Sequence, residues 1–389
     1  MLTAPAAPPV IRTDTSNAFA HNTMRVRVPA IVREAAARNP DYSPLIRDNL
    51  ERLAAALESD AQIPLLERPA PDYAAWAAQH AAHGPASWQG AAWFFAEFYA
   101  YRLLVQAARW WETGRDPFAP AKAEEYASGQ PWALLERALD APARAPEERL
   151  SRALTFALWA NRIDLSLSAV AALGGESTHA ADLLVDQRAA AAERLLAAPG
   201  PVHIVTDNAG SELTLDLALA GALLELTDAP VTLHVKAHPI FVSDAIPADV
   251  LALIGWLADG RAGAAGVPLG ARLRTAFEVG RLRLAPDLFW NSAHPLWALP
   301  PYLAQTFAGA RLVIVKGDAN YRRVLGDALW PAEMPFADVT GYFPAPLLAL
   351  RTLKSEPLVG LPPGLAARLD AEDAGWRVNG RRGVIQLKP

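Results

Sequence analysis

The sequence predicts an α/β protein with a three-layer α/β/α core around a mostly parallel sheet, preceded by an α-helical N-terminal part. Two observations carry this prediction. Helical periodicity dominates up to about residue 175, whereas strand-like and helix-like segments alternate after residue 200. Such alternation is typical of parallel strands joined by crossover helices. We therefore assign residues 1–175 to the helical part and residues 176–389 to the α/β domain.

Apolar residues recur with helical spacing in four segments of the first part. Proline-rich connectors at residues 64–71 and 116–120 interrupt the pattern, as expected of a residue that breaks helices. The predicted helices span residues 31–37, 43–57, 91–111 and 147–173.

The second part alternates short apolar runs with amphipathic or wholly apolar helical segments. The alternation predicts strands at residues 201–206, 231–236, 282–285 and 311–316. Helices are predicted between them, at residues 211–226, 247–258 and 302–307.

Composition narrows the function classes. With 389 residues, the chain exceeds what one hydrophobic core usually supports, so two domains or one large elaborated domain are expected. A net charge of −5 with scattered arginines argues against binding to nucleic acid or to an anionic membrane surface. The absence of cysteine excludes disulfides, thiolate catalysis and cysteine zinc sites. The first residues lack the pattern of a signal peptide, and we expect a cytoplasmic protein.

The first candidate site follows the strand predicted at residues 201–206. Asp207 and Asn208 come directly after this strand, and Gly210 opens the next helix. Carboxylate and amide oxygens are suitable ligands for Mg²⁺ or Mn²⁺, and glycine allows close approach of a bound anion to the helix N-terminus. The alternative is an Asx turn with a helix cap, which the same residues would also form.

Two further strand ends carry polar side chains. The strand predicted at 231–236 leads to Asp244, and the strand at 311–316 leads into a segment with cations and amides. Ligands of open α/β sheets bind outside the carboxyl ends of the strands, so these ends together predict one metal and phosphate site. The candidates in the second segment are Lys316, Asp318, Asn320, Tyr321 and Arg322.

Some polar residues admit a structural interpretation. Asn161 and Asp164 lie three residues apart in an apolar helical pattern. Either they form a local hydrogen-bond network at the helix end, or they support the metal or its bound water without binding the metal themselves. His234 and His238 are expected to be structural, because four-residue spacing on a strand does not form a metal chelate. Asp318 also has the position of a helix cap.

Several ordered motifs resemble the damage-control phosphatase family, in the subfamily that includes proteins labelled acidic-residue methyltransferase. The last motif is the subfamily's Arg-Thr-x-Lys signature, formed by Arg351, Thr352 and Lys354. The resemblance covers nearly the whole chain and is carried by residues 27–29, 93–99, 161–166, 207–212, 241–244, 316–322 and 351–354.

The resemblance implies a site of defined composition. Asp207, Asn208 and Asp244 would hold a divalent metal, either Mn²⁺, Mg²⁺, Co²⁺ or Ni²⁺. Residues 318–322 and Lys354 would contact a phosphorylated substrate, with Lys316 as a further cation. The resemblance also implies a pocket lined by three more residues, Glu212, Asn161 and Asp164. Arg351 belongs to the signature, although it and Lys354 would also be compatible with surface charge.

The implied activity is metal-dependent hydrolysis of small phosphorylated metabolites, and the resemblance suggests sugar phosphates such as fructose 1-phosphate as the substrates. Water held at the metal is the preferred nucleophile, oriented by Asp207 or Asp244, and an aspartyl-phosphate route stays open. Two other functions remain. One is carboxyl methylation with S-adenosylmethionine, which would need a glycine-rich loop after the first strand that we do not find. The other is non-catalytic binding of sugar phosphates.

Overall fold

One seven-stranded sheet forms the centre of the protein. A computed structural model of the chain describes residue 2 and residues 5–66, 70–140, 145–160 and 182–389. The strands of the sheet are β1 (Leu183–Asp186), β2 (Val202–Val205), β3 (Val231–Lys236), β4 (Leu282–Asp287), β5 (Leu312–Lys316), β6 (Leu347–Thr352) and β7 (Gly383–Lys388). Their order across the sheet is β1-β7-β6-β5-β2-β3-β4. Neighbouring strands run parallel except β6 and β7, which are antiparallel.

The strand order reverses between β2 and β5. From β2 the chain proceeds to β3 and β4 on one side, and then returns to β5 and β6 on the other. Val202 is accordingly paired with Val231 of β3 and with Leu312 of β5. The crevice outside the carboxyl ends of strands at such a reversal is the usual ligand position in α/β sheets. The ends of β2, β3 and β5, which carry the candidate residues, therefore lie side by side.

The sequence predicted the four strands on one side of the sheet and missed the three on the other side. The α/β class is confirmed, and the strands expected at residues 201–206, 231–236, 282–285 and 311–316 are β2 to β5. β1, β6 and β7 were not predicted. β7 also runs against its neighbour β6, with Thr352 opposite Gly383.

Helices make up the described N-terminal half. A π-helical turn (Thr23–Arg27) joins the first two of them. The helices are α1 (Ala18–Asn22), α2 (Val28–Ala37), α3 (Pro44–Glu58), α4 (Tyr73–His83), α5 (Trp93–Ala107), α6 (Trp110–Thr113), α7 (Ala119–Ala127), α8 (Gln130–Leu139) and α9 (Pro146–Trp159).

Further helices connect the strands of the sheet. Three short 3₁₀ turns lie at Ala264–Gly266, Leu288–Asn291 and Leu296–Ala298. The helices are α10 (Arg188–Ala197), α11 (Gly210–Leu226), α12 (Pro247–Ala258), α13 (Val267–Glu278), α14 (Pro301–Phe307), α15 (Asp318–Leu325), α16 (Phe336–Val339) and α17 (Leu365–Glu372). None of the helices in the described ranges is long and apolar enough to cross a membrane.

Buried apolar side chains pack both faces of the sheet. On one face, Ile204 and Leu233 belong to a core shared with α8, α9 and α11 to α13. On the other face, Val205 and Val313 belong to a core with α14 and α15. A separate core, rich in aromatic residues of α4 and α5, lies within the helical part and includes Trp76. The sheet is thus the middle of three layers, as burial on both faces of a parallel sheet requires.

Helices α8 and α9 precede residue 175 but pack against the sheet. The helical core proper contains residues from Ile11 to Phe118, together with Ile240 from the loop after β3. The boundary predicted at residue 175 lies outside the described residues and stays a prediction.

Candidate active site

Backbone hydrogen bonds join the loops after β2 and β3. The N–H of Ala209 donates to the carbonyl of Ser243 at 2.6 Å. Asn208 and Asp244 lie opposite each other in the resulting antiparallel bridge. Because this pairing fixes both loops, Asp207, Asn208 and Asp244 line the same cavity.

Asp207 is buried with one carboxylate oxygen left open. The residue is 4% exposed, and its Oδ1 has no hydrogen-bond partner among the described residues. Burial, reinforced by the carboxylates of Asp244 and Glu212, raises the pKa of Asp207 well above its usual value. Gly317 packs directly against this side chain. A Cβ at position 317 would lie 1.9 Å from Asp207 Oδ2, so there is no space for a larger residue. A buried oxygen without a partner is rare and is typical of a position that receives an ion or a ligand.

Asp244 provides the second open oxygen. Its Oδ2 lies 3.2 Å from Lys236 Nζ, which is an ion-pair distance, but no hydrogen bond reaches this oxygen from the described residues. Burial raises the pKa of Asp244, although Lys236 opposes the shift. Lys236 therefore compensates part of the negative charge at this end of the sheet and leaves room for a further cation.

Asn208 is held in one orientation by three side chains. Its Nδ2 donates to Asp207 Oδ2 at 3.1 Å and to Glu212 Oε2 at 2.9 Å. Its Oδ1 accepts the hydroxyl of Ser243 at 2.5 Å. Since an amide oxygen has two lone pairs, Oδ1 keeps one for a second partner.

This donor set suits a hard divalent cation. Mg²⁺ and Mn²⁺ prefer carboxylate and amide oxygens, which Asp207, Asn208 and Asp244 supply. Across the described residues, no three His, Cys, Asp or Glu side chains are arranged for metal binding, and the candidate set instead combines two carboxylates with an amide. The open oxygens of Asp207 and Asp244 fit such an ion, because its charge would offset the crowding of the buried carboxylates.

The loop before Asp244 adopts strained backbone conformations. Phe241 and Val242 have φ angles of 50° and 67°, in the left-handed region that β-branched residues avoid. Both residues line the cavity, and the phenyl ring of Phe241 packs edge-on against Phe98 of α5 at 4.6 Å between centroids. Strain of this kind persists only where packing imposes it, and it is concentrated at functional sites.

The end of β5 and the loop after β6 meet at Asp318. Its Oδ1 accepts the Nε–H of Arg351 at 2.7 Å and the backbone N–H of Lys354 at 3.0 Å. Burial alone would raise the pKa of Asp318, but Arg351, Ser355, Arg322 and the Lys354 N–H together outweigh burial and lower the pKa. Asp318 and Lys354 both line the cavity, and burial lowers the pKa of the Lys354 ammonium.

Lys316 lies behind the cavity. Its Nζ contacts Glu212 Oε1 and Asp216 Oδ1, both at 2.9 Å, and donates to the carbonyl of Ala157 at 2.7 Å. Burial would lower the pKa of Lys316, but Asp216 and Glu212 together raise it. This lysine is fully buried, does not line the cavity and positions Glu212, and its direct substrate contact stays a prediction.

Three other predicted substrate ligands also lie outside the cavity lining. Asn320 donates to the carbonyl of Thr206 at 3.0 Å, which ties the end of β2 to α15. Tyr321 donates its hydroxyl to Gln386 at 2.7 Å. Arg351 stacks on the ring of Tyr321, with its guanidinium carbon 4.3 Å from the centroid. These residues support the loops, and their direct substrate contacts stay predictions.

Arg322 does line the cavity, but its charge is already balanced. It pairs with Glu97 Oε2 at 2.6 Å and with Asp327 Oδ1 at 2.7 Å. Its guanidinium also lies 3.6 Å from the ring centroid of Trp93. Arg322 therefore joins α5 of the helical part to α15. A substrate that contacts its guanidinium would compete with the carboxylates of Glu97 and Asp327.

The cavity has a volume of about 390 Å³ and contains seven of the predicted site residues. These are Asp207, Asn208, Glu212, Asp244, Asp318, Arg322 and Lys354. Asn161 and Asp164 lie outside the described residues. The polar lining residues to which the sequence assigned no role in the site come mostly from the helical part: Arg27, Glu97, Tyr101, Glu125 and Ser243.

Comparison with known proteins identifies the family. The model of the damage-control phosphatase ARMT1-like domain matches residues 23–369. The chain belongs to this family. It is 32% identical to mouse damage-control phosphatase ARMT1 over 338 residues, which cover 78% of this chain and 76% of the mouse protein. Identity to the zebrafish protein of the same name is 28% over 435 residues, covering 95% and 94% of the two chains.

Membership of the ARMT1-like family confirms the resemblance seen in the motifs and places the chain among phosphatases of metabolite repair. A crystal structure supports the fold. The DUF89 family protein from Pyrococcus horikoshii superposes with a TM-score of 0.53 at 16% identity, covering 96% of this chain and 99% of that one.

Proposed function

We propose that this family member is a metal-dependent phosphatase that hydrolyses small phosphorylated metabolites, with sugar phosphates such as fructose 1-phosphate as its substrate class. We further propose that it acts in the cytoplasm. The proposal depends on one observation above all. Two buried aspartates from adjacent loops, Asp207 and Asp244, line one cavity together with Lys354, and each has a carboxylate oxygen that receives no hydrogen bond from the described residues.

Asp207, Asn208 and Asp244 are the residues that would hold the ion. A bound divalent cation would supply charge neutralisation at the phosphoryl group and a lowered pKa for an attacking water. Glu212 and Ser243 fix the amide of Asn208, so that its oxygen is presented to the cavity without rotation. Preorganisation of this kind reduces the reorganisation needed during the reaction.

The substrate phosphate would bind at the N-terminus of α15, beside Lys354. The residue that precedes this helix is Gly317, which has no side chain to cap it. Asp318 and Ala319 of the first turn both line the cavity. The exposed N–H groups and dipole of a helix N-terminus attract phosphate. Lys354 adds the positive charge that phosphoryl transfer requires, while Arg322 is largely neutralised by its own partners.

The remainder of the cavity suits a small polyhydroxylated group. Its volume of about 390 Å³ lies at the lower end of the range for small-molecule pockets. The carboxylates of Glu97 and Glu212 can accept hydroxyl hydrogens, and the rings of Trp93 and Phe241 exclude water from one side. An aspartate oxygen is available to orient a water for in-line attack on phosphorus.

The test is release of inorganic phosphate from a panel of phosphate esters, with Mn²⁺, Mg²⁺ or Co²⁺ and with EDTA. We expect turnover of sugar phosphates with metal and none with chelator. Asp244→Asn is expected to abolish turnover. Asp287→Asn is the matched control, because Asp287 also ends a strand but does not line the cavity, and its carboxylate accepts the Phe289 N–H at 2.7 Å and the Tyr302 hydroxyl at 2.8 Å. Equal turnover in chelator, or an active Asp244→Asn protein, would overturn the proposal.

A further inference from the structure

The cavity faces two helix N-termini that differ in one respect. Helix α15 begins without a side-chain cap, whereas the first turn of α11 is capped by a residue distant in sequence. Both helices contribute lining residues, Asp318 and Ala319 from α15 and Glu212 from α11. Because the first N–H groups of a helix lack partners within it, each of these ends attracts an anion.

A carboxylate of the protein itself occupies the N-terminus of α11. Glu125 of α7 accepts the N–H of Ser211 with Oε1 at 2.7 Å. The hydroxyl of Tyr126 accepts the neighbouring N–H of Gly210 at 2.9 Å. The carboxylate packs so closely that a Cβ at position 210 would lie 2.0 Å from Glu125 Oε2. Gly210 also has a φ of 65°, so both contacts and backbone require glycine here.

Helix α7 is anchored, which holds Glu125 in place. Lys122, one turn earlier, is buried and pairs with Asp116 at 2.9 Å and with Asp249 of α12 at 2.7 Å. The ring of Tyr126 packs edge-on against Trp256 of α12 at 5.0 Å between centroids. Glu125 is therefore fixed at the cavity wall by the packing of its helix.

The charges around the cavity add to this effect. Among the described lining residues, six are carboxylates, namely Glu97, Glu125, Asp207, Glu212, Asp244 and Asp318. Only three are cations, Arg27, Arg322 and Lys354. A divalent ion and one phosphate can be accommodated by such a set. A second anionic group that approaches the N-terminus of α11 meets the carboxylate of Glu125 there.

We propose that Glu125 is a specificity-determining residue, which restricts this site to substrates with a single anionic group and rejects bisphosphates and sugar acids. This inference rests on the proposed phosphatase function. The carboxylate acts by like-charge repulsion and by occupying the N–H of Ser211 that a second phosphate would bind. Specificity of this kind depends on a repulsive element as much as on attractive ones.

The test compares fructose 1-phosphate with fructose 1,6-bisphosphate at saturating Mn²⁺. Glu125→Gln keeps an oxygen that can cap Ser211 but removes the charge. We expect the ratio of kcat/KM for the bisphosphate to that for the monophosphate to rise about tenfold. Glu124→Gln is the matched control, because Glu124 carries the same charge one residue away but is exposed and pairs with Arg38. Its ratio should equal that of the wild type.

An unchanged ratio in Glu125→Gln, or an equal rise in Glu124→Gln, would overturn the inference. Glu125→Ala removes the cap and the charge together and should shift the ratio in the same direction. If the wild type releases phosphate from no ester, the proposed function fails, and the inference is then decided by binding. The bisphosphate should raise the melting temperature more than the monophosphate does only in the Glu125 variants. No selective gain would overturn it.

Discussion

The two sides of the cavity use charged residues in opposite ways. After β2 and β3, the buried carboxylates are only partly compensated: among the described residues, Asp207 Oδ1 has no hydrogen-bond partner, and Asp244 Oδ2 has only an ion-pair contact with Lys236 at 3.2 Å. After β5 and β6, the buried ions are paired with one another. Lys316 contacts Glu212 and Asp216, Arg322 contacts Glu97 and Asp327, and Arg351 contacts Asp318.

This difference separates residues that await a ligand from residues that position others. Unpaired buried charge is costly to a folded protein, so its retention indicates a function that needs it. Paired buried charge is retained for geometry, and removal of one partner leaves the other uncompensated. Substitutions on the two sides should therefore affect activity and stability in different proportions.

The largest expected effect is the loss of activity in Asp207→Asn. We expect kcat/KM for a sugar phosphate to fall about 1,000-fold or more, which corresponds to about 4 kcal/mol of transition-state stabilisation. In the absence of metal, Asp207→Asn should nevertheless be more stable than the wild type by about 1 kcal/mol, because the substitution removes the charge of one of three crowded carboxylates. Steady-state kinetics and urea unfolding measure the two quantities. A variant that is both less stable and fully active would place Asp207 among the positioning residues.

On the paired side, Lys316→Met should mainly affect stability. It leaves Glu212 and Asp216 buried without their cation, and we expect a loss of about 3–5 kcal/mol in the free energy of unfolding. Adding Asp216→Asn should restore part of this loss. Arg33→Met is the control, since Arg33 forms exposed pairs with Glu51 and Glu58 that should contribute less than about 1 kcal/mol. Equal losses of unfolding free energy in Lys316→Met and Arg33→Met would contradict the structural role that we assign to the buried pairs.

Lys354 tests the one cation that we assign to the substrate. Lys354→Met should reduce kcat/KM for sugar phosphates about 100-fold, or about 2.7 kcal/mol, by removing a charge beside the phosphate. Burial lowers the pKa of this ammonium, so a neutral side chain of similar length should leave the melting temperature nearly unchanged. Unaltered kinetics would remove its substrate role, and a large fall in melting temperature would make it structural.

The last prediction concerns a buried histidine pair on β2 and β3, the strands that precede the aspartate loops. His203 Nδ1 and His234 Nε2 are 3.0 Å apart, and burial lowers the pKa of these residues from 6.5 to about 4 and about 3. Below pH 6.5 the unfolded chain binds more protons than the folded one, so stability falls as the pH falls. Between pH 7 and pH 5 the expected loss is about 2 kcal/mol for each histidine.

Urea unfolding of His203→Gln with His234→Gln should show a flatter pH dependence than the wild type. His21→Gln, at a half-buried position on α1, is the control and should keep the wild-type slope. An unchanged slope in the double variant would show that the pair is not neutral in the folded protein. Activity should be unaffected, because the rings pack against Phe307 on the sheet face with α14.

The sequence was sufficient to predict those site residues that lie close to the end of a recognisable strand. Asp207 and Asn208 lie just after β2 and Asp244 lies in the loop after β3, and the parallel arrangement of β2 and β3 brings these loops together. The strands β2 to β5 were recognisable as apolar runs between helices. The strands β1, β6 and β7 on the other side of the sheet were missed. Sequence periodicity also does not reveal strand direction, and β1 and β7 run opposite to the other five strands.

The sequence was insufficient where function depends on pairing across long separations. Charge alone does not show that Lys316 is neutralised behind Glu212, or that Arg322 pairs with Glu97 from 225 residues away. Glu125 reaches Ser211 across 86 residues, and no local pattern marks it. These contacts result from packing of the helical part over the sheet, which a one-dimensional pattern does not specify.

The most direct test of the central claim is a calorimetric titration of metal-free protein with Mn²⁺. The account predicts one ion per chain in the wild type and in Asp287→Asn. Asp207→Asn and Asp244→Asn should each weaken binding by more than the roughly 10–100-fold that loss of a group behind a ligand costs. Undiminished binding in either variant, or separate sites lost one at a time, would contradict the convergence of the two aspartates on a single ion.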